Sequence, residues 1–400
     1  SFMGAEGDRR YLVALQNNSE MRDQGMVLSY AIARFEGGRL VFDGNGPIHE
    51  LRLAEPASTP VPPETAEVFG FLEPTRVWQS VNATADFAWS ARAMVDMYGK
   101  ATGESIDGII AIDVPGMSGV LRAIGPVQVP DIAAPINANN VARILLHDMY
   151  EGLPPLSDRS DRREQLGEVT KAVIERLTAS DQDPVALGKE LADAAKGGHV
   201  RLWSAVPEEE EVFERTGLGG GPATIDADRT FHLAVENRTA TKLDYYVKPS
   251  VRQEIQLTPQ GSAVVRTTVT IDNTAPVDAA PSYQLGPDNF TERPGDYLAW
   301  GLLWAPAGSS QAGATPESGL MLSQQVAGVS AGQRREMTFD TVIPNAVRDG
   351  RLELRLVPQP RLWPVDLEVE LDAPGWDVDG AESWKGRWDQ VRVFSWRVER

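Results

Sequence analysis

DGIIAIDVPGMSGVLRAIGPVQVP, residues 107–130, decides the fold class of the first half of this chain. GIIAIDV (108–114) is an unbroken apolar run between turn signals, the pattern of a strand buried on both faces of a sheet. PGMSGVLRAIG (115–125) follows at once as a short helix opened by Pro115, where the missing amide hydrogen costs nothing. PVQVP (126–130) then reads as a returning strand.

Upstream, YLVAL (11–15) and GMVLSYAIARF (25–35) read as strands, and GRLVFDG (38–44) as a hairpin partner across Glu36-Gly37-Gly38. AEPASTPVPPETA (54–66) is too rich in proline for anything but loop. In DFAWSARAMVDMYG (86–99), Phe87, Ala91, Met94, Val95 and Tyr98 share one helical face, with Thr84 or Asp86 as N-cap and Gly99 as the stop. Downstream, NNVARILLHDMY (139–150), REQLGEVTKAVIERLTA (163–179) and DPVALGKELADAAKGG (183–198) are amphipathic helices, and HVRLWSA (199–205) is a strand. The alternation predicts an α/β domain over 9–222, a mixed sheet with helices on both faces.

GLGGGP (217–222) reads as linker, and beyond it the texture changes. Runs such as TFHLAVEN, SAVVRTTVTIDN, DYLAWGLLWAP and VRVFSWRVE are separated by turn residues, predicting an all-β sandwich or two small β-modules over 223–400. Trp300, Trp304, Trp363, Trp376, Trp384, Trp388 and Trp396 fit the core of such a sandwich, with Trp384 and Trp388, near Gly386, the most exposed.

The formal charge of −19, from 57 acidic and 38 basic residues, argues against general nucleic-acid binding, because an acidic surface repels phosphate backbones. The absence of cysteine removes disulfides, thiolate nucleophiles and zinc–thiolate sites together. No run approaches the ~18 to 20 apolar residues of a membrane span. The opening SFMGAEGDRR reads as a tag remnant joined to a truncated start, which leaves room for a signal or membrane-anchor segment upstream. Zincin, P-loop and EF-hand motifs are missing, and GMSGV (116–120) does not meet G-x-S-x-G. A Ser-His-Asp triad can be drawn from any of His49, His147, His199 and His232, but no local sequence selects one.

Two segments carry candidate chemistry. In QNNSEMRDQG (16–25), Asn17, Asn18, Glu20, Arg22 and Asp23 cluster just past a strand end, where open α/β sheets place ligands. Amides and a guanidinium fork can grip phosphate or sugar hydroxyls, and Asp23 is the candidate for a divalent cation, Mg2+ or another. The competing reading is a polar turn that satisfies its own backbone. In SDRSDRREQ (157–165), Arg159, Arg162 and Arg163 open a helix against the usual preference for acids there. Beside free helix amides they would make an anion pocket for a pyrophosphate; Asp158 and Asp161 offer the alternative of a solvated ion-pair face.

YLVALQNNSEMRDQG, NATADFAWSARAMVDMYG, DGIIAIDVPGMSGVLRAIGPVQVP and HVRLWSAVPEEEEVFERTGLGG resemble the domain-of-unknown-function 4012 family of bacterial envelope proteins, over roughly residues 9 to 305. More remotely, the first half is similar to the LytR–CpsA–Psr phosphotransferases, which move glycopolymers from a polyprenyl-pyrophosphate carrier onto the cell wall. MRDQGMVLSYAIARF resembles that family's Arg-Ser-Asp step with Arg22 and Asp23, and SDRSDRREQ its Asp-x-x-Arg-x-x-Arg-Gln segment with Asp158 or Asp161, Arg162 and Arg163. The family's Ile-Pro-Arg-Asp turn has no counterpart in FDGNGPIHEL (42–51), where Asp43 or Glu50 would have to substitute.

The resemblance implies an extracytoplasmic protein of cell-envelope glycan assembly. Arg22, Asp23, Arg162 and Arg163 would be catalytic, and Asn17, Asn18, Glu20 and Arg159 would bind substrate. An apolar tunnel between sheet and helices, along 87–98 and 141–150, would take the polyprenyl chain. Two other readings stay open: a non-catalytic surface protein that binds glycan or lipid-linked sugar, and a glycoside hydrolase with paired carboxylates.

Overall fold

The computed structural model describes residues 2–4, 7–154, 160–179 and 182–400, with backbone alone for 160–164. The chain divides into two units, Ser1–Gly221 and Pro222–Arg400.

The first unit holds a five-stranded mixed sheet in the order β3-β2-β1-β4-β5. Its strands are β1 (Arg9–Met21), β2 (Gly25–Glu36), β3 (Arg39–Pro47), β4 (Gly108–Asp113) and β5 (Val200–Ser204). β1 pairs antiparallel with β2 and parallel with β4, and β4 pairs antiparallel with β5. The helices are α1 (Pro63–Phe69), α2 (Phe87–Thr102), α3 (Val114–Ile124), α4 (Val141–Leu146), α5 (Ser160–Leu177), α6 (Pro184–Lys196) and α7 (Pro207–Thr216).

Strand alternation sorts the sheet into two faces. Leu12, Ala14, Ile109, Ala111 and Trp203 point to one side and pack with Phe87, Ala91, Met94 and Met97 of α2 in a single buried core. Among the described residues this part of the interface, where the tunnel was expected along 87–98, is packed with buried side chains. On the other side Val13, Leu15, Ile110 and Leu202 are half-buried, while Tyr11 is covered by Phe2 and Phe35, and Phe2 in turn meets Phe213 of α7.

Several boundaries differ from those read in the sequence. β1 runs on to Met21, so QNNSEM continues the strand through bulges and only Arg22–Gln24 turn. α2 stops at Gly103, at φ 77°, rather than at Gly99. PVQVP forms only an isolated bridge, Val127 to Ile136, and does not join the five-stranded sheet. The 139–150 helix breaks after Leu146 into a 3-10 turn, Asp148–Tyr150. α7 was not expected, although Pro207 at its first turn, Glu208 to Glu210 behind it and Gly217 at φ 76° are ordinary start and stop signals.

The second unit is a two-sheet β-sandwich. One sheet runs β10 (Ser310–Gln311), β13 (Arg334–Ile343), β8 (Ala263–Asn273), β7 (Val247–Leu257), β16 (Val365–Asp372) and β18 (Ser383–Trp388). The other runs β11 (Thr315–Glu317), β12 (Leu320–Val329), β9 (Tyr297–Ala305), β6 (Thr230–Asn237), β15 (Arg351–Val357), β19 (Arg392–Glu399) and β17 (Asp377–Asp379), with β14 (Val347–Arg348) on β15. Val251, Ile255, Val265 and Val269 from the first meet Leu233, Leu303 and Leu354 from the second in one core. Trp300, Trp304, Trp388 and Trp396 are buried, and Trp363, Trp376 and Trp384 are half-buried. Trp388, expected at the surface, is therefore core, since it ends β18 on the inward phase. Trp384 lies across Gly386, where a Cβ would come 2.8 Å from the ring, and Arg392 covers it at 5.0 Å.

Candidate functional site

The α2 face of the sheet changes character rung by rung toward the carboxyl ends of the parallel pair β1 and β4. Leu12, Ile109 and Trp203 form an apolar rung; Ala14, Ala111 and Arg201 form the next; Gln16 and Asp113 stand above them, with His199 on Asp113. Polar groups thus concentrate where α/β sheets hold ligands.

Arg201 is buried on β5 beside the small side chain of Ala111. Its guanidinium lies 5.9 Å from the centroid of the Phe87 ring, and Nη1 donates to the Gly220 carbonyl at 3.2 Å. Burial pushes Arg201 below its usual value, and the carboxylates of Asp23 and Asp86 oppose that fall. Asp86 also caps α2, accepting from the Trp89 amide at 3.0 Å.

The Arg22–Gln24 turn is fastened around this arginine. The Asp23 amide donates to the Asn82 carbonyl at 3.2 Å, Asn82 Nδ2 to the Gly25 carbonyl at 2.8 Å, and Gln16 Nε2 to Gln24 Oε1 at 2.7 Å. Gly25 is required here, because a Cβ would meet the Asn17 backbone at 2.8 Å. Three buried polar atoms nevertheless lack a hydrogen-bond partner among the described residues: Arg201 Nε, Gln24 Nε2 and Asn82 Oδ1. Buried orphans of this kind are uncommon and mark places where a polar ligand has something to bind.

Of the residues expected to act, the structure gathers Asn17, Asn18 and Asp23 at this rim. Asn17 donates to the Tyr150 hydroxyl at 2.9 Å and accepts from the Ser19 amide at 2.8 Å. Asn18 donates to Asp113 Oδ2 at 2.8 Å and accepts from the Val114 amide at 3.1 Å. Their amides are committed to protein partners. Glu20 is buried, and Arg22, half-buried, donates to the Met21 carbonyl at 3.1 Å. Arg162 and Arg163 fall in the first turn of α5, but their side chains, like Arg159 altogether, lie outside the described residues. Asp43 is held by Arg34 at 2.9 and 3.0 Å and lies near Arg10 at the amino end of β1. It is thus at the opposite end of the sheet from Arg22 and does not stand in for the missing motif.

Sequence reading missed Arg201, Asn82 and Asp113; it read Asp86 only as a candidate helix cap and His199 only as one of four histidines that no local sequence selects. Arg201 had a signal: in HVRLWSA it shares phase with the inward Trp203, a charge where an apolar residue is due.

Among the described residues the donors grouped closely enough for a metal are His147, Asp148 and Glu151, whose ligand atoms lie within 4.8 Å of one another. Asp148 already meets His147 Nδ1 at 2.9 Å and Arg143 at 3.4 Å. An imidazole among carboxylates suits a transition ion better than Mg2+, which takes oxygen donors. Oxygen donors near Arg201 include Asp23 and Asp86.

Residues 6–150 match the DUF4012 family, described as "Protein of unknown function (DUF4012)". The resemblance read from NATADFAWSARAMVDMYG and DGIIAIDVPGMSGVLRAIGPVQVP therefore stands over residues 6–150, a shorter stretch than the 9 to 305 over which it was drawn. No curated protein matches it. Structures similar to the chain include B. subtilis TagV, 14% identical with a TM-score of 0.29, covering 53% of this chain and 79% of that one. A LytR-Csp2A-Psr enzyme from Actinomyces oris is 12% identical, TM-score 0.27, covering 53% and 78%; Lin1025 protein from Listeria innocua gives the same values. Similarity this low carries no argument about mechanism. No helix among the described residues is long and apolar enough to cross a membrane.

Proposed function

We propose that the α/β unit is an extracytoplasmic glycan-assembly module that transfers a glycopolymer from a polyprenyl-pyrophosphate carrier to an acceptor sugar hydroxyl. The observation that carries this reading is Arg201, a buried guanidinium with an orphan Nε, set with Asp23 at the carboxyl ends of β1 and β4. A fixed cation in a low-dielectric rim can neutralise charge building on a transferring phosphoryl group without reorganising. Arg22 would add charge at the turn; Arg159, Arg162 and Arg163, whose side chains lie outside the described residues, are proposed from the sequence alone as further cations for the phosphates, with Asn17, Asn18 and Glu20 as substrate-binding groups. Asp23, with Asp86, would hold a divalent cation such as Mg2+, which when bound supplies further charge neutralisation at the phosphates.

The commitment of the Asn17 and Asn18 amides to protein favours a second reading, a module that binds lipid-linked sugar without turning it over. One assay separates the two. The purified chain is incubated with a polyprenyl-pyrophosphate-linked oligosaccharide, an acceptor glycan and Mg2+, and released polyprenyl phosphate is measured together with donor binding. Release that disappears in Arg201→Met supports transfer; binding without release supports the second reading; neither binding nor release sinks both.

A further inference from the structure

Asn82 brackets the Arg22–Gln24 turn. Its carbonyl accepts from the Asp23 amide at 3.2 Å, and its Nδ2 donates to the Gly25 carbonyl at 2.8 Å. A backbone carbonyl only accepts, so Nδ2 is fixed on that side and Oδ1 is left as an acceptor without a donor. Gln24 sits between those two bonds. Its Oε1 accepts from Gln16 Nε2 at 2.7 Å, which leaves its own Nε2 as a donor without an acceptor.

Arg201 reaches the same corner from β5. Ala111 and Arg201 share a rung of the sheet, and Gln16, which holds Gln24, stands on the next one with Asp113. Nη1 of Arg201 is taken by the Gly220 carbonyl at 3.2 Å, whereas Nε has no partner among the described residues. Gln24 and Asn82 are each 2% exposed and Arg201 7%, so bulk water does not satisfy the three atoms.

The set is two donors, Arg201 Nε and Gln24 Nε2, and one acceptor, Asn82 Oδ1. A phosphate oxygen has no hydrogen for Asn82 and is repelled by it, and a metal ion is repelled by both N–H groups. A water brings two hydrogens to one acceptor. An alcohol oxygen, with two lone pairs and one hydrogen, matches the set atom for atom. The charge of Arg201 acts on neighbouring phosphates through space, but its Nε hydrogen has a single direction and a single partner.

We propose that Gln24, Asn82 and Arg201 together hold one hydroxyl of the carrier-linked sugar, so that Gln24 and Asn82 distinguish a glycosylated carrier from a bare one. This rests on the reading above, that the rim takes a polyprenyl-pyrophosphate-linked sugar. Because the three atoms are closed to solvent, the hydroxyl enters as the short Arg22–Gln24 turn lifts.

The test measures binding of two probes to the full chain, a polyprenyl-pyrophosphate-linked oligosaccharide and sugar-free polyprenyl pyrophosphate, and reads the ratio of their affinities. The unaltered chain should prefer the sugar-linked carrier by about tenfold or more, the worth of a hydrogen-bonded hydroxyl in a desolvated site. Asn82→Leu should bring the ratio close to one by weakening the sugar-linked carrier alone, whereas Arg201→Met should weaken both carriers. Gln24→Glu keeps the oxygen that accepts from Gln16 and removes the N–H, so it serves if Asn82→Leu folds poorly. Its added charge weakens both carriers alike, and the ratio should still fall toward one. A ratio that neither variant changes overturns the proposal, and so does a crystal structure with the sugar-linked carrier bound in which a water, not the sugar, meets the three atoms. Equal binding of both carriers by the unaltered chain overturns it while leaving the reading above intact. Binding of neither carrier sinks that reading itself.

Discussion

Each unit buries an arginine with an aspartate, yet the two arginines are surrounded differently. In the sandwich, Arg361 donates to Asp244 Oδ1 at 2.8 Å, to the Val235 carbonyl at 2.8 Å and to Gln359 Oε1 at 3.0 Å. Gln359 in turn satisfies the Val235 amide at 2.9 Å, where β15 no longer runs beside β6, and Tyr297 donates to Asp244 at 2.9 Å. Burial, then the neighbouring carboxylate, pushes the Tyr297 hydroxyl far above its usual value, so it stays a donor. In the α/β unit, Arg201 Nε, Gln24 Nε2 and Asn82 Oδ1 are orphans. A buried network with its polar groups paired pins strands together; one with open valences is less stable than it need be and is suited to a ligand.

The largest expected effect tests that difference directly. Arg361→Met should cost about 3–5 kcal/mol in denaturant unfolding, because it leaves Asp244 buried without its cation. Arg201→Met should cost only about 1–2 kcal/mol, since the burial penalty of an incompletely paired guanidinium disappears with it. Equal losses would erase the contrast, and hydrogen exchange followed unit by unit would show where each loss falls.

Next come two tyrosines. Tyr297→Phe removes a bond to a charged acceptor and should cost about 1.5–3 kcal/mol, whereas Tyr150→Phe removes the neutral acceptor of Asn17 and should cost about 1 kcal/mol. If Tyr150→Phe proves the more damaging, the rim is braced as firmly as the sandwich and the contrast fails.

The smallest effect is a pH dependence confined to the α/β unit. Burial raises Glu210 from 4.5 to about 7, against the opposing pull of the Ser204 amide, which it accepts at 2.9 Å. The folded chain therefore keeps a proton that the unfolded chain releases. This contribution to stability is complete below pH 4.5 and is lost as pH rises through about 7. Unfolding midpoints of the unaltered chain should fall across that window relative to Glu210→Gln; parallel profiles would remove Glu210 from the account.

Much of the fold was legible because its signals are local. GIIAIDV followed by Pro115 marks strand and helix, Asp86 and Asp113 are ordinary N-caps, and the 36–38 turn needs the positive φ that Gly37 and Gly38 supply. PVQVP failed because a strand needs a partner, and partnering is not written in five residues. QNNSEM failed because polar composition suggested a turn, whereas the bulged end of β1 satisfies those side chains with Tyr150, Asp113 and Val114, all about a hundred residues or more away.

Alternation, caps and turn residues in the chain itself determined a mixed α/β unit followed by strands, because each is set by neighbours a few positions apart. Which charges meet was decided only by the tertiary structure. Asp23, Asp86 and Arg201 come from a turn, a helix cap and a strand, and Asn18, Asp113 and His199 from three separate stretches of chain; strand register sets Ala111 beside Arg201 and Asp113 beyond it, and the turn and the cap meet them only in the folded unit. Register is a long-range choice made by burying the apolar face against α2, and the polar rungs follow from it.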